Sequence, residues 1–261
     1  MSEKALLITI PHSGEKIPDF CVWLQNLPEE ILMCDIDRYV DQLYAPVLTE
    51  LKLHHVKTDW HRYAADLNRI PTDIDCDSVE GNSGKSGSFA RGFHWVMTTY
   101  EHKLMPKPMS LELHQKLVDL IYIPFHKLIA QKVSLLKDNE LFHLDLHSMP
   151  SLGTKQHRDP GELRADIVVS DSLGKSSRPE FVDLVIKSYV RAGFKVGYNW
   201  PYMGGRLTEQ YGQPDQKHHC VQVELNRSLY MDEKTKKIIP EKAEAIKKKL
   251  SAAIQMIESR L

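Results

Sequence analysis

The sequence predicts an α/β domain built on a mostly parallel sheet. Three observations carry that expectation. Short apolar runs of strand length recur, at Ala5 to Ile10, Leu141 to Leu146, Asp166 to Ser170 and Phe194 to Tyr198. Longer stretches with helical apolar spacing lie between them, such as Leu111 to Lys137. The alternation runs the length of the chain with no linker and no internal repeat, so residues 1–261 read as one domain with helices on both faces of the sheet.

Taken in order, Ala5 to Ile10 is a buried strand that stops at Pro11. Pro28-Glu29-Glu30 opens a helix that carries Ile31 through Leu51, and Val56-Lys57-Thr58 is another strand. Residues 72–92 are polar and rich in Gly and Ser, with no apolar period. They predict a long surface loop, of the kind that lids a site. Pro106-Lys107-Pro108 is extended. From Leu111 to Lys137 the residues Leu113, Leu117, Leu120, Ile121, Leu128, Ile129 and Val133 keep helical spacing, and Pro124 kinks or splits that helix. Leu141 to Leu146 and Asp166 to Ser170 are strands. Phe181 to Ala192 is a helix ended by Gly193, followed by a strand from Phe194 to Tyr198. Val221 to Leu225 alternates as a strand does, and Glu241 to Leu261 is an amphipathic, lysine-rich helix.

Composition narrows the partners. The 34 basic and 35 acidic residues balance at a net charge of −1, so no basic field exists to hold nucleic acid or an anionic membrane surface. The start, MSEKALLITI, has too short an apolar run for a signal peptide, and no run reaches membrane-spanning length. The four cysteines are scattered without a CxxC, which fits a reduced cytoplasmic protein. With 13 histidines, a bound metal would draw on imidazole and carboxylate. Gly84-Lys85-Ser86 is not a phosphate loop, because Val79 stands where that motif needs glycine and no apolar strand precedes it.

Two histidines carry the chemistry. His12, in Pro11-His12-Ser13-Gly14-Glu15, follows the first strand directly, and loops after strand ends are where ligands gather in α/β folds. A lone His there is more simply a turn residue. A second strand, however, ends in Asp145-Leu146-His147-Ser148, where the i, i+2 spacing projects Asp145 and His147 to one face. A carboxylate there can fix the tautomer of the ring. Two such ends meeting is the geometry of a catalytic zinc site with an open position. A carboxylate ligand can come from Asp35 or Asp37, or from Glu15, which has HxxE spacing to His12. The plain reading of the aspartates is that acidic residues favour helix N-termini. Asn68-Arg69 ahead of Pro71 suits a fork for a substrate carboxylate, or else a surface salt bridge. Gly204-Gly205-Arg206-Leu207-Thr208 allows close backbone approach, with Arg206 and Thr208 as polar contacts, or is only an ordered turn. Glu224 is either the polar face of an edge strand or the general base for an activated water.

Together these pieces resemble the N-formylglutamate amidohydrolase family. The resemblance rests on Pro11-His12-Ser13-Gly14, Asp35-x-Asp37, Asp66-Leu67-Asn68-Arg69, Asp145-Leu146-His147-Ser148, Gly204-Gly205, Thr208, Tyr211-Gly212 and Val221 to Leu225, with Tyr122 and His126 as a helical pair. The order is collinear over about nine-tenths of the chain. It implies a three-layer α/β/α fold like the zinc carboxypeptidases and aminoacylases, with a mixed rather than wholly parallel sheet. It implies a zinc ion on His12, His147 and Asp37, with Glu15 and Asp35 as the other candidates for the third ligand. Glu224 is then the general acid–base, and Asn68, Arg69, Arg206 and Thr208 bind substrate. The implied reaction cleaves an N-formyl or N-acyl amino acid such as N-formylglutamate, a step in histidine breakdown. Residues 155–160 and 81–88 match no pattern of the family and are where specificity could reside. The rival readings are a zinc peptidase or peptidoglycan amidase on the same scaffold, and a non-catalytic metal or small-molecule binding protein.

Overall fold

The structure is a computed structural model, and it describes residues 5–136 and 140–261. In chain order the elements are β1 (Ala5–Ile10), α1 (Val22–Gln25), α2 (Glu29–Leu32), α3 (Val40–Glu50), β2 (His54–Lys57), α4 (Leu111–Leu117), α5 (Ile123–Leu135), β3 (Leu141–Met149), β4 (Ile167–Ser170), α6 (Pro179–Arg191), β5 (Val196–Tyr198), α7 (Arg206–Tyr211), β6 (His218–Asn226) and α8 (Pro240–Glu258). A two-stranded ribbon, Met231–Asp232 with Lys237–Ile238, precedes α8.

The main sheet has the order β2-β1-β3-β6-β4-β5. Its pairings are parallel except β4 against β6, so it is mixed and mostly parallel. β3 and β6 are nine residues each and buried at every position. That is the signature of strands covered on both faces. Because strand side chains alternate, each face has its own chemistry. One face is apolar: Leu6, Ile8 and Ile10, Phe142, Leu144 and Leu146, and Val221, Val223 and Leu225 pack against α3, α6 and α8. The opposite face carries Leu7 and Leu141 into a second core with α4 and α5. It also carries a buried polar column of Thr9, His143, Asp145, His147, Gln222 and Glu224. β6 is central, so Glu224 is not the solvent face of an edge strand.

Three elements differ from the sequence expectation. The helix expected from Ile31 to Leu51 is broken between Met33 and Tyr39. The backbone N–H of Asp37 donates to the carbonyl of His12 at 2.9 Å, and Tyr39 takes a left-handed φ of 71° before α3 begins. Such a conformation is uncommon for a bulky residue. From Leu111 to Leu135 the helix is continuous, with Val118–Tyr122 wound as a π-turn just ahead of Pro124. The wider turn accommodates the N–H that proline lacks. Finally, the connection from 58 to 110 has no helix or strand; residues 80–91 within it lie largely at the surface, as the sequence predicts, while the chain on either side of them forms a packed layer. Tyr63, Phe93, Trp95, Val96, Met105 and Met109 bury themselves from it in the second core. Buried Asp75 organises it by accepting from the backbone N–H of Asp77, Ser78 and Phe89 at 2.9–3.0 Å. Among the described residues no helix is long and apolar enough to cross a membrane.

Candidate active site

β1 and β3 are parallel neighbours, with Thr9 beside Asp145. Their carboxyl ends therefore lie at the same edge of the sheet. Pro11 ends β1 and places His12 there, while His147 projects from β3 with its ring centroid 4.9 Å from that of His12. The break before α3 brings Asp37 into the same place. Potential ligand atoms of His12, Asp37 and His147 all lie within 4.8 Å of one another, and all three residues are buried.

The orientation of the rings is specific. His147 Nδ1 lies 3.0 Å from Asp37 Oδ2, and His12 Nδ1 lies 3.4 Å from the same oxygen without a hydrogen-bond partner. Each Nε2 faces away, toward a buried carboxylate: His12 to Asp66 at 2.7 Å and His147 to Asp145 at 2.8 Å. A carboxylate behind each imidazole is the arrangement that fixes the tautomer of a metal-binding histidine. Two Nδ1 atoms and a carboxylate facing one point, one of them an orphaned buried nitrogen, fit a divalent metal.

Charge is concentrated here. Burial opposes ionisation of Asp37, but the adjacent His12 and the hydrogen bond to His147 outweigh it and hold the carboxyl well below the usual range. Burial likewise works against a charged His147, and the charge and hydrogen bond of Asp145 reverse it, raising His147 well above an ordinary histidine. Asp37 is braced from behind. Ser148 Oγ donates to its Oδ1 at 3.1 Å, and Arg227 reaches the same oxygen at 3.3 Å while donating to Ser148 Oγ at 3.0 Å. Asp66 is depressed too: burial opposes its charge, and the Arg62 guanidinium at 2.7 Å and His12 overcome that.

Glu224 stands opposite His147 in the β3–β6 register and is 6% exposed. Burial raises its carboxyl above the ordinary glutamate value. Gln222 Nε2 donates to Glu224 Oε1 at 2.6 Å and so orients it. A cavity of about 220 Å³ opens in front, with His12, Asp37, His147, Glu224, Asn68 and Arg69 in its lining.

The other candidates fall as follows. Glu15 is a surface residue paired with Arg38 at 2.9 Å, away from the two histidines. Asp35 lines the cavity, but its carboxylate accepts from Tyr63 Oη at 2.8 Å and from Thr99, tying down the 58–110 layer. Asn68 Oδ1 accepts from the Leu207 N–H at 2.7 Å, and the residue lines the cavity. The paired glycines explain themselves here. Gly204 has φ +118°, and a Cβ on Gly205 would fall 2.1 Å from Asn68 Nδ2. Thr208 is buried beneath the site and does not line it. Its Oγ1 accepts from the Gly205 N–H at 3.3 Å, closing the first turn of α7. Arg206 is a correction: it lies outside the cavity, 38% exposed and paired with Glu209 at 3.0 Å, because α7 turns Leu207 and Thr208 inward and Arg206 out. Tyr122, His126 and Tyr211 form a stack between α5 and α7, with His126 Nδ1 2.8 Å from Tyr211 Oη, rather than part of the cavity wall. Of the two unmatched segments, 155–160 reaches the cavity through Gln156 and His157, while no residue of 81–88 lines it. Sequence reasoning missed Arg91 and Tyr202 in the lining and the role of Asp66 behind His12. No spacing relates Asp66 to His12, whereas Asp145 was visible from its i, i+2 relation to His147.

Comparison with known proteins agrees with this geometry. A model of the N-formylglutamate amidohydrolase family matches residues 4–231. An N-formylglutamate deformylase from Pseudomonas aeruginosa is 29% identical over 231 residues, spanning 87% of this chain and 82% of its own. One from Pseudomonas putida is 28% identical over 232 residues, with the same coverage. The crystal structure of an N-formylglutamate amidohydrolase from Ralstonia eutropha superposes with a TM-score of 0.86 at 25% identity, covering 97% of this chain and 93% of that one. The chain therefore belongs to the N-formylglutamate amidohydrolase family and is a hydrolase that acts on an amide.

Proposed function

We propose that this chain is a zinc-dependent deformylase that hydrolyses N-formylglutamate to formate and glutamate. The observation that carries the reading is the convergence of His12 Nδ1, His147 Nδ1 and Asp37 on one point, with a buried carboxylate behind each ring. His12, Asp37 and His147 would hold the zinc. When bound, zinc supplies polarisation of the formyl carbonyl and lowers the pKa of a water. Family membership and the names of the Pseudomonas relatives support the substrate.

The chain's own residues do the rest. Glu224, kept by burial above the ordinary glutamate range, accepts the proton of the attacking water and passes it to the amide nitrogen as the C–N bond breaks. Gln222 fixes which oxygen of Glu224 does this. Arg69 binds the α-carboxylate, and Asn68 offers its Nδ2 as a further donor. Thr208 positions Gly205 and, through it, the floor beneath Asn68. We also read residues 1–261 as one domain, since α8 packs on α3 and α6 within the same core. The four cysteines are free thiols, which supports a cytoplasmic location.

The test is formate release from N-formylglutamate by the purified protein, before and after chelation and with zinc restored. Activity that follows zinc loading supports the reading. Full activity in chelated protein shown by elemental analysis to hold no metal would refute the zinc requirement. Absence of turnover on any N-formyl amino acid, with turnover on peptides, would move the peptidase reading ahead.

A further inference from the structure

The cavity wall holds more positive charge than the deformylation itself requires. Four arginines line it, and two of them are already neutralised: Arg62 by Asp66 at 2.7 Å and Arg227 by Asp37 at 3.3 Å. The other two, Arg69 and Arg91, meet no carboxylate within ion-pair distance among the described residues. The two stretches of chain that carry them are tied together, since Arg69 Nε donates to the backbone carbonyl of Arg91 at 3.2 Å. Two guanidinium groups without a carboxylate partner in the wall of one cavity make it attractive to an anionic ligand.

The two are anchored differently. Arg69 follows Asn68, two residues from Asp66, which holds His12. Its Nη1 is folded onto the carbonyl of Asn68 at 2.8 Å, and its charge helps hold Asp66, the carboxylate behind His12, in its ionised form. Arg91 has a fixed stem, through the backbone bridge to Trp95, but a lightly held head. Its Nη2 makes one long hydrogen bond, 3.3 Å to Gln156 Oε1, and Gln156 Nε2 is committed to Glu101 at 2.7 Å. Gln156 is thus turned to present its oxygen to Arg91, aiming the guanidinium without neutralising it.

We propose that Arg91 is the specificity residue for an acidic side chain, and that it grips the side-chain carboxylate while Arg69 takes the α-carboxylate. This rests on the deformylase reading above. The assignment follows from distance along the substrate: the α-carboxylate is adjacent to the scissile amide, and the side-chain carboxylate is two methylenes further away. A site built to bind a charged group rejects the uncharged isostere, because its own donors are then left unpaired. Gln156 is a positioning residue for Arg91, which gives the unmatched segment 155–160 a part in specificity.

The experiment compares kcat/KM for N-formylglutamate and its neutral isostere N-formylglutamine on wild type, Arg91→Gln, Arg91→Lys and Arg69→Gln. Thermal melting of each variant checks folding; Arg91 makes a single side-chain hydrogen bond, so its melting point should stay near wild type. Wild type should prefer the glutamate compound by about tenfold or more, the usual scale for a hydrogen bond to a charged group. Arg91→Gln should collapse that ratio toward one, chiefly by raising KM, and Arg91→Lys should recover part of it. Arg69→Gln should lower both substrates together, since both carry the α-carboxylate. A wild-type preference that survives in Arg91→Gln would overturn the proposal, as would a collapse seen only in Arg69→Gln. Equal turnover of both substrates by wild type would overturn it while leaving the deformylase reading intact. Turnover of neither would overturn both.

Discussion

Replacing Asp66 by Asn separates a carboxylate that positions a ligand from one that merely fills space. The substitution keeps the shape and removes the charge. Asp66 Oδ1 faces His12 Nε2 at 2.7 Å and accepts from the Asn68 N–H at 2.8 Å. Its Oδ2 accepts from Arg62 Nη2 at 2.7 Å and from Trp95 Nε1 at 2.8 Å. An asparagine has one acceptor and one donor group, so whichever way it turns, an N–H₂ confronts existing donors. If it keeps its oxygen toward His12, Arg62 loses its carboxylate and keeps only the Asp35 carbonyl at 2.8 Å and the face of Trp95. Losing one member of a buried ion pair costs about 3–5 kcal/mol, so the melting temperature should drop by several degrees. If it turns the other way, His12 loses its carboxylate, and removal of such a partner weakens metal binding about 10–100-fold. By either route the ring of His12 is less firmly aimed. The assay is zinc affinity by competition with a chelating dye, alongside melting curves with and without zinc. Zinc affinity and melting temperature both unchanged in Asp66→Asn would refute the claim that this carboxylate orients His12.

Other perturbations have equally definite outcomes. Glu224→Gln should still bind zinc and substrate, while kcat for formate release falls by about 10²-fold or more; near-normal kcat would mean another group moves the proton. Gly205→Ala drives a methyl group to 2.1 Å from Asn68 Nδ2, and should cost about 1–3 kcal/mol in urea unfolding and raise KM; an unchanged KM would show that Asn68 does not touch substrate. Stability should fall on acidification. Burial lowers His61 and His143 to about 4 and His94 to about 3, all below the value of about 6.5 in the unfolded chain. The unfolded state therefore binds more protons in that window. The contribution is whole above about pH 6.5 and is lost toward pH 4, by up to about 1.4 kcal/mol per pH unit for each histidine. Urea midpoints that do not move between pH 7 and pH 5 would contradict this.

Much of the scaffold was legible because strand periodicity and apolar content agree. Ala5 to Ile10 and Leu141 to Leu146 read as buried strands and are β1 and β3, and the histidines that follow them do meet. The break that supplies Asp37 was not legible. Ile36 and Val40 are both fully buried and keep helical spacing, so the local pattern continues across a segment that tertiary contacts bend out of the helix. The decisive contact, Asp37 N–H to the carbonyl of His12, joins two distant stretches of chain. The outward turn of Arg206 has the same origin: which side of a six-residue helix faces the cavity is set by packing of Leu207, not by the glycines before it. Glu224 was ambiguous for another reason. Alternation in a strand normally marks a solvent face, but here the polar face is buried, with Glu224 beside His147 of the His12–Asp37–His147 cluster.

The central claim is that His12, Asp37 and His147 form a metal centre, and metal stoichiometry tests it most directly. Wild-type protein, His12→Ala, Asp37→Ala and His147→Ala would be stripped with chelator, dialysed against a fixed low concentration of zinc, and measured by elemental analysis. Melting curves would confirm that each variant is folded. The account predicts one zinc per chain in wild type and loss of that zinc in each folded variant, since a three-ligand site does not survive removal of a ligand. Full zinc occupancy persisting in any of these variants would contradict it.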